Sequence, residues 1–371
     1  MRIDSIEVYG YDLSYRHGEY VMSGGRSSEK QSSTVVRIVT DEGIEGWGEC
    51  APLAGSYLPS HTEGIHASLS CLAPLLVGLD PRNTGLVNLV MNRHLRGQYG
   101  AKSAIDIACW DVLGRSCGLP VSNLLGGLVA EDFPLYVAVP LGSDQDMVAF
   151  VKERMLEGTR TFQLKVGNQP QDDIRRIQAV LAAVGDEGTV IADANGGWDV
   201  LDARMVIAAV QYSDVIIEQP CVETRSCALV QQGSRRPLVL DESIVTVGDL
   251  AEGHLTAGAH AVNIKLGRVG GLTAARVMRD TAIGLGMKVT LEDTWGGDLT
   301  SAAVSHLAAS TNPASLLSAS FFNDWTNEHI AGYEPRSRNG RGSAPTAPGL
   351  GIQVDPEALG APLFVVRSSQ S

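Results

Sequence analysis

The chain has 371 residues, 44% of them hydrophobic and 19% charged, which is typical of a soluble globular protein with a large core. Its formal net charge of −13 and pI of about 5.1 exclude a strongly basic nucleic-acid surface and argue against an anionic membrane as partner. The six cysteines lack C-x-x-C spacing and predict reduced thiols in a cytoplasmic protein. No apolar run reaches the ~18 residues that span a bilayer.

Residues 1–125 are predicted to form an α+β domain. "DSIEVYGYDL" and "STVVRIVTDEGIEGWGEC" alternate apolar and polar residues, which predicts strands and makes the first a poor signal peptide. Residues 61–117 follow a helical pattern that ends at Gly118. The Gly- and Ser-rich segment 15–33 predicts a loop whose Tyr20, Met22 and Arg26 are placed to cover a ligand.

Residues 126–340 predict a parallel sheet with crossover helices. Eight short β-branched runs alternate with helical stretches, and eight such units in ~190 residues favour a closed barrel. The runs are "PLYVAVP", "TFQLKVG", "TVIADANG", "VIIEQP", "PLVLDES", "AVNIKLG", "KVTLEDTWGG" and "SLLSAS". A doubly wound sheet is the alternative, but no Gly-rich phosphate loop follows the first strand. Residues 341–371 are rich in Pro and Gly and are predicted to return to the first domain.

A polar residue ends most of these runs at intervals of roughly 23 to 28 residues, about the length of one strand–helix unit. In chain order the five that we single out are Lys165, Asp193, Glu218, Asp241 and Lys265. Residues at equivalent strand ends face one point at the carboxyl mouth of a barrel, where barrel active sites lie. The spacing therefore predicts one site that contains all five side chains.

Three carboxylates at successive strand ends repel one another unless they are protonated or share a cation. An all-oxygen set favours a hard divalent ion, so Asp193, Glu218 and Asp241 are predicted to bind Mg²⁺, with Mn²⁺ as the alternative. Lys165 and Lys265 flank the trio, and a cation in a partly dry site would lower a lysine pKa far enough for it to act as a base. Taken singly, each carboxylate is better explained as a solvated strand terminus or a helix N-cap, and each lysine as an edge or surface residue. The hypothesis rests on the five together.

Several motifs of the chain are similar to those of a known protein family. "LKVG", "DANGGW", "IEQP", "LDES", "NIKLGRVGGLT" and "LEDTWGGD" resemble the enolase superfamily, in its mandelate racemase/muconate lactonizing enzyme family, and "GWGEC" and "AKSAIDIACWDVLG" resemble that family's N-terminal domain. The resemblance implies an α/β fold: a modified TIM barrel, (β/α)7β, with an N-terminal α+β capping domain completed by the C-terminal segment. It also implies Mg²⁺ on the acidic trio and acid/base roles for Lys165 and Lys265. One departure is Gln163, where this branch often has the first lysine of K-x-K.

Within the family, "MSGGR", "VGGLT" and "APGLGIQVDPEALGAP" are most similar to cis-3-hydroxy-L-proline dehydratases, whereas "DTWGGD" is shared with betaine epimerases. The resemblance implies Mg²⁺-dependent removal of a proton α to a carboxylate. It implies dehydration of cis-3-hydroxy-L-proline to Δ1-pyrroline-2-carboxylate, with racemisation or epimerisation of proline betaine, hydroxyproline betaine or a related amino-acid derivative as the alternative.

Further residues are assigned to the substrate or to support of the site. The predicted substrate contacts are Asp293, Trp295, Tyr20, Met22, Tyr57 and His61, and the predicted supporting residues are Asn195, Gln163 and Glu242. Asp293 is equally well explained as a structural cap and Trp295 as a core residue. The expected partners are a small-molecule carboxylate and further copies of the chain, in a dimer or an octamer, with no nucleic acid and no membrane.

Overall fold

The computed structural model describes residues 1–53, 55 and 57–368. Residues 369–371, which belong to the predicted C-terminal segment, lie outside the described residues. The described chain forms an antiparallel sheet with helices, followed by an eight-stranded parallel sheet. Among the described residues no helix is long and apolar enough to cross a bilayer.

The N-terminal part is a four-stranded antiparallel sheet covered by helices. Its strands and small hairpin are β1 (Ile3–Ser14), β2 (Tyr20–Val21), β3 (Ser27–Ser28), β4 (Lys30–Thr40) and β5 (Glu45–Cys50). Its helices are α1 (Thr62–Leu76), α2 (Thr84–His94), α3 (Tyr99–Cys117) and the short α4 (Val121–Leu124). Gly118 ends α3 with φ +67°, a conformation that favours glycine, as the sequence pattern predicts.

The "GWGE" motif, which by itself suggests a turn, lies inside β5 instead. Its glycines are required because α3 packs directly on this strand. A Cβ added at Gly48 would lie 2.0 Å from the carbonyl oxygen of Ala104, and one at Gly46 would lie 2.3 Å from that of Ala108. The glycines therefore allow a helix to approach a strand closely.

The barrel strands are the eight predicted runs. They are preceded by β6 (Phe133–Pro134) and are β7 (Tyr136–Val139), β8 (Thr161–Lys165), β9 (Thr189–Asp193), β10 (Val215–Glu218), β11 (Leu238–Leu240), β12 (Ala261–Lys265), β13 (Lys288–Glu292) and β14 (Leu316–Ala319). The helices between them are α5 (Asp144–Leu156), α6 (Pro170–Val184), α7 (Val200–Val210), α8 (Thr224–Gln231), α9 (Val247–Ala257), α10 (Leu266–Val269), α11 (Leu272–Gly284) and α12 (Asp298–Ala309).

The parallel strands pair in chain order from β7 to β14. A parallel bridge between Leu135 and Ala319 then joins the first strand to the last, which closes the sheet. Helices follow the first seven strands, so the predicted (β/α)7β class is confirmed. Val, Ile and Leu dominate the strands because both faces of each strand are buried, by the barrel interior and by the outer helices.

The C-terminal segment contains β15 (Arg341–Gly342), α13 (Pro356–Leu359) and β16 (Phe364–Arg367). Strand β16 pairs antiparallel with β1 and completes the sheet of the N-terminal part, which we call the cap. The domain bounds 1–125, 126–340 and 341–371 stay predictions. The segment 15–33 is more ordered than a loop, because Tyr20 pairs with Ser28 and Val21 with Ser27.

Candidate active site

Strand register brings the predicted residues to one end of the barrel. Lys165 lies beside Asp193, and Asp193 lies beside Glu218, on adjacent parallel strands. Asp241 directly follows β11, and Lys265 ends β12. All five side chains are at most 5% exposed, so this end of the barrel holds two ammonium groups and three carboxyl groups away from water.

Lys165 forms the simpler half of the site. Its Nζ donates to Asp193 Oδ2 at 2.5 Å, and Asn195 Nδ2 donates to the same oxygen at 2.9 Å. Burial opposes the charge on Lys165, but Asp193 outweighs burial and the pKa of the ammonium is raised well above its usual value. Asn195 also donates to Glu242 Oε1 at 2.9 Å, which ties this half to the next strand end.

Lys265 has more partners. Its Nζ contacts Asp241 Oδ2 at 2.7 Å and Tyr57 Oη at 2.5 Å, and lies 3.8 Å from Glu292 Oε1. The Arg268 guanidinium binds the other oxygen of Asp241. Burial opposes ionisation of Asp241, but Arg268 and Lys265 outweigh it and hold the pKa of Asp241 below its usual range. Burial likewise lowers the pKa of Lys265, but the nearby carboxylates raise it overall.

Glu218 lies between these two halves without an ammonium partner of its own. Its Oε1 accepts from Gln163 Nε2 at 2.9 Å and from Asn263 Nδ2 at 2.6 Å. Burial, followed by the charges of Asp193 and Asp241, raises its pKa well above the usual value. Burial and the same two aspartates raise the pKa of Glu242 to about 7. This end of the barrel therefore has fewer positively charged groups than carboxyl groups, which is a deficit of positive charge.

That deficit is what a divalent cation would relieve, and the donor set is chemically suitable for one. The three carboxyl groups supply the oxygen ligands that Mg²⁺ prefers. In the described part of the chain no three acidic, histidine or cysteine side chains converge as a ready metal cluster. Lys165 and Lys265 bind oxygens of Asp193 and Asp241 instead. A cation would compete with both lysines for these oxygens and would oppose the rise in their pKa.

A cavity of about 20 Å³ lies against the two lysines. This volume holds about one water molecule, so a substrate enters only when the surrounding side chains move apart. Its lining consists of Tyr20, Met22, Leu53, Tyr57, Tyr136, Gln163, Lys165, Lys265, Glu292, Asp293, Thr294, Trp295, Phe322 and Trp325. A larger cavity of about 260 Å³ shares Tyr136 and Trp325 with it but contains neither lysine. The smaller cavity is therefore the candidate for the reacting molecule.

Most of the predicted substrate contacts lie in this lining. Tyr20 and Met22 come from the hairpin of the cap and are buried, and Tyr57 contacts Lys265. Trp295 packs against Tyr20 and is buried, and its Nε1 has no hydrogen-bond partner. His61 is not brought into the site: it is exposed and precedes α1, with its ring against Gly64.

Asp293 lines the cavity but is also held by the backbone. Its carboxyl oxygens accept from the N–H groups of Gly267 and Thr294 at 2.7 to 3.0 Å. Burial raises its pKa to about 7, and these two hydrogen bonds oppose that rise. The capping role weighed for Asp293 is therefore present in the structure. The supporting residues Gln163, Asn195 and Glu242 lie against the carboxyl groups of the site.

Arg268 and Glu292 are site residues that the sequence reasoning missed. Arg268 lies three residues after Lys265, at the end of one turn of helix α10, and reaches back to Asp241. Glu292 is the register partner of Lys265 on β13, and Tyr136 Oη donates to it. A signal for Glu292 existed in its position at the end of "KVTLE", at the same level as the other strand-end residues.

Comparisons with known proteins agree with this geometry. The family model "Enolase C-terminal domain-like" matches residues 146–358, and the model "Mandelate racemase / muconate lactonizing enzyme, N-terminal domain" matches residues 9–126. The chain belongs to the mandelate racemase/muconate lactonizing enzyme family of the enolase superfamily. The relatives of this family member include both lyases and isomerases.

Two relatives and one solved structure show what this chain is similar to. The cis-3-hydroxy-L-proline dehydratase of Roseibium aggregatum is 42% identical over 98% of this chain and 99% of its own. The N-succinyl-L-Arg/Lys racemase of Bacillus cereus is 29% identical over 84% of this chain and 85% of its own. An enolase-superfamily member from Roseovarius nubinhibens ISM, solved in complex with magnesium, is 38% identical with a TM-score of 0.93 over 99% of this chain and 100% of its own.

Proposed function

We propose that the protein dehydrates cis-3-hydroxy-L-proline to Δ1-pyrroline-2-carboxylate. The observation that carries the proposal is the pair of buried lysines at the ends of β8 and β12, on either side of Glu218 and open to one small cavity. The 42% identity to a cis-3-hydroxy-L-proline dehydratase supports this choice of substrate.

The reaction must begin with loss of the proton α to the carboxylate, which is a very weak acid. We assign its removal to Lys265 Nζ, acting as the general base. Glu292, 3.8 Å from that nitrogen, stabilises the positive charge that the lysine gains. Lys165 Nζ then donates a proton to the departing 3-hydroxyl group, which leaves as water. The enamine that remains tautomerises to the pyrroline.

The acidic trio is assigned to one divalent cation, most simply Mg²⁺, with Mn²⁺ as the alternative. When bound, the cation supplies positive charge beside the substrate carboxylate as negative charge develops there. Asp193, Glu218 and Asp241 would hold it. Gln163 and Asn263 orient Glu218 through their hydrogen bonds to Oε1.

The walls of the cavity exclude water from the two lysines. Tyr20, Trp295, Phe322 and Trp325 form a buried aromatic cluster and line the same cavity as the lysines. A low-polarity wall strengthens the electrostatic interactions of the polar groups beside it.

A second candidate function is racemisation or epimerisation of a proline derivative. Two lysines on opposite faces are enough for it, since one removes the α-proton and the other returns a proton. The relationship to the Bacillus cereus racemase favours keeping this alternative. The two functions differ in whether the substrate carries a leaving group that fits beside Lys165.

A screen of hydroxylated and N-methylated prolines with Mg²⁺ in D₂O tests both candidates. Dehydration predicts loss of the 3-hydroxyl group and formation of pyrroline from cis-3-hydroxy-L-proline. Epimerisation predicts deuterium at the α-carbon with inversion and no pyrroline. Absence of both elimination and exchange across the screen would refute the proposed function.

A further inference from the structure

Two cysteines lie in contact beside the candidate active site. Cys221 follows β10 by three residues, and Cys227 lies in α8. Cys227 Sγ donates to the carbonyl oxygen of Cys221 at 3.2 Å, which places the Cys227 thiol against the Cys221 backbone. Both are free thiols in the structure. We propose that Cys221 and Cys227 are a modification site at which a peroxide forms a disulfide that reversibly inactivates the barrel mouth.

The chemistry needs a peroxide as oxidant and a thiol reductant for reversal. One thiol sulfur attacks the peroxide, the O–O bond breaks, and a sulfenic acid and one water (or alcohol) form. The second thiol attacks the sulfenic sulfur, forms the S–S bond and releases another water. The two sulfurs together lose two electrons, which the peroxide gains.

Position favours Cys221 as the first thiol to react. It is buried, but the next residue, Val222, is 72% exposed, so a shift of this loop admits a molecule of water size. Cys227 is fully buried on its helix and is placed to resolve the sulfenic acid. Because Cys227 Sγ already lies 3.2 Å from the Cys221 carbonyl oxygen, the two sulfurs can approach to the disulfide length of about 2.0 Å by a local shift of the loop.

Gln219 connects this pair to the acidic trio. Its Nε2 donates to the Cys221 carbonyl oxygen at 2.8 Å and contacts Cys227 Sγ at 3.9 Å. Its Oε1 accepts from the backbone N–H of Asp241 at 2.7 Å. Movement of either sulfur therefore shifts a side chain that fixes the backbone of Asp241.

The same loop also contacts the strand end that carries Asp193. Cys221 forms a bridge with Gly197, and the N–H of Gly196 donates to the Gln219 carbonyl oxygen at 2.8 Å. The loop that contracts on oxidation thus touches the segments on both sides of Glu218. This arrangement predicts loss of site geometry, since each metal-ligand candidate is held by a neighbour of the thiol pair.

The test uses the full-length protein with the exposed cysteines removed as C71S/C117S, so that they do not obscure the result. The protein is treated with hydrogen peroxide, alkylated and digested with trypsin. Cleavage at Arg225 separates the two cysteines, so a disulfide appears as peptide 205–225 linked to peptide 226–235. Backbone hydrogen exchange of residues 193–198 and 241–243 reports the coupling without any substrate or metal.

We expect the linked peptides, faster exchange in both segments and at least tenfold lower dehydration of cis-3-hydroxy-L-proline, all reversed by dithiothreitol. C227S, or C221S if the first fails to fold, should resist all three changes. Absence of the linked peptides, or linkage without a change in exchange, would overturn the inference. The dehydration readout alone rests on the proposed function, so its failure with the other two intact would count against that function instead.

Discussion

Buried carboxyl groups occur in two regions of this molecule, and their hydrogen-bonding partners differ between the two regions. The seam carboxylates, Glu49, Asp106 and Asp111, lie on the cap, and all are fully buried. Each accepts backbone N–H groups: Glu49 from Thr300 at 2.9 Å, Asp106 from Thr273 at 2.8 Å and Asp111 from Leu350 at 2.7 Å. Their hydrogen bonds join the cap to the barrel and to the C-terminal segment.

The site carboxylates, Asp193, Glu218 and Asp241, are equally buried but face other charged side chains. Two of them bind lysines, and burial followed by the charges of those two raises the pKa of the third, Glu218. Fixed backbone donors satisfy a carboxylate permanently, whereas a lysine partner can give up its contact to a cation or a proton. The seam therefore stabilises the fold, and the site keeps its charges available for chemistry.

The largest expected effect comes from the two lysines. K165A and K265A should each lower turnover by about 10²–10⁴-fold, the usual contribution of a general acid or base. If Lys265 is the base, K265A also loses deuterium exchange at the α-carbon, whereas K165A retains it. The comparison is made by NMR in D₂O, with the exposed Lys288→Ala as control. Turnover within tenfold of wild type would contradict the assignment.

The next effect concerns the cation. E218Q removes one of three neighbouring negative charges, so it should stabilise the cation-free protein by about 1–2 kcal/mol. The same change should abolish stabilisation by Mg²⁺, which binding to the folded state supplies in the wild type. Thermal melting with and without Mg²⁺ measures both. An E218Q protein that is destabilised without Mg²⁺, or still stabilised by it, would show that Glu218 has another role.

A seam carboxylate should instead make stability depend on pH. Burial raises the pKa of Asp106 from its ordinary 3.8 to about 6, against the hydrogen bonds from Thr273. A raised folded-state pKa contributes stability that is complete below pH 3.8 and is lost as pH rises through about 6. The loss amounts to about 3 kcal/mol.

Urea unfolding between pH 4 and pH 7 tests this prediction. D106N should lack the part of the pH dependence that the wild type shows over that range, whatever its absolute stability. The exposed Glu187→Gln is the matched control and should keep the wild-type slope. An identical slope in D106N would mean that this carboxyl titrates normally.

The smallest effect concerns Tyr57, which accepts from Lys265 and donates to Asp241 at 3.0 Å. Y57F removes two hydrogen bonds to charged groups, so we expect kcat to fall by about tenfold with little change in KM. Steady-state kinetics of Y57F measure this, with the exposed Tyr212→Phe as control. A large rise in KM at constant kcat would make Tyr57 a substrate contact instead.

The regular spacing of the strand–helix units, more than residue type, made the site predictable. One polar residue per strand–helix unit fixes Lys165, Asp193, Glu218, Asp241 and Lys265 at one level, and the strand register confirms that they lie together. Their catalytic and metal-binding roles stay predictions. The closed sheet was predictable for the same reason, because its strands are continuous apolar runs of regular spacing.

Residues whose positions do not follow from the strand–helix spacing were not predicted or were predicted in the wrong place. Arg268 binds Asp241 from α10, a short helix directly after Lys265 that the strand–helix period does not predict. His61 follows Tyr57 by four residues, but it is the residue that caps the start of α1 and its side chain is exposed. Glu292 stands at a strand end like the other site residues, but its pairing with Lys265 depends on the β12–β13 register.

The account depends most on where a cation and an α-carbon lie relative to the two lysines. A crystal structure with Mn²⁺ and cis-3-hydroxy-L-proline bound to K265A, with the metal located by its anomalous signal, measures this directly. We predict the metal among Asp193, Glu218 and Asp241, with the substrate carboxylate on it and the α-carbon between Lys165 and residue 265. A metal bound elsewhere, or an α-carbon outside the space between residues 165 and 265, would contradict the account.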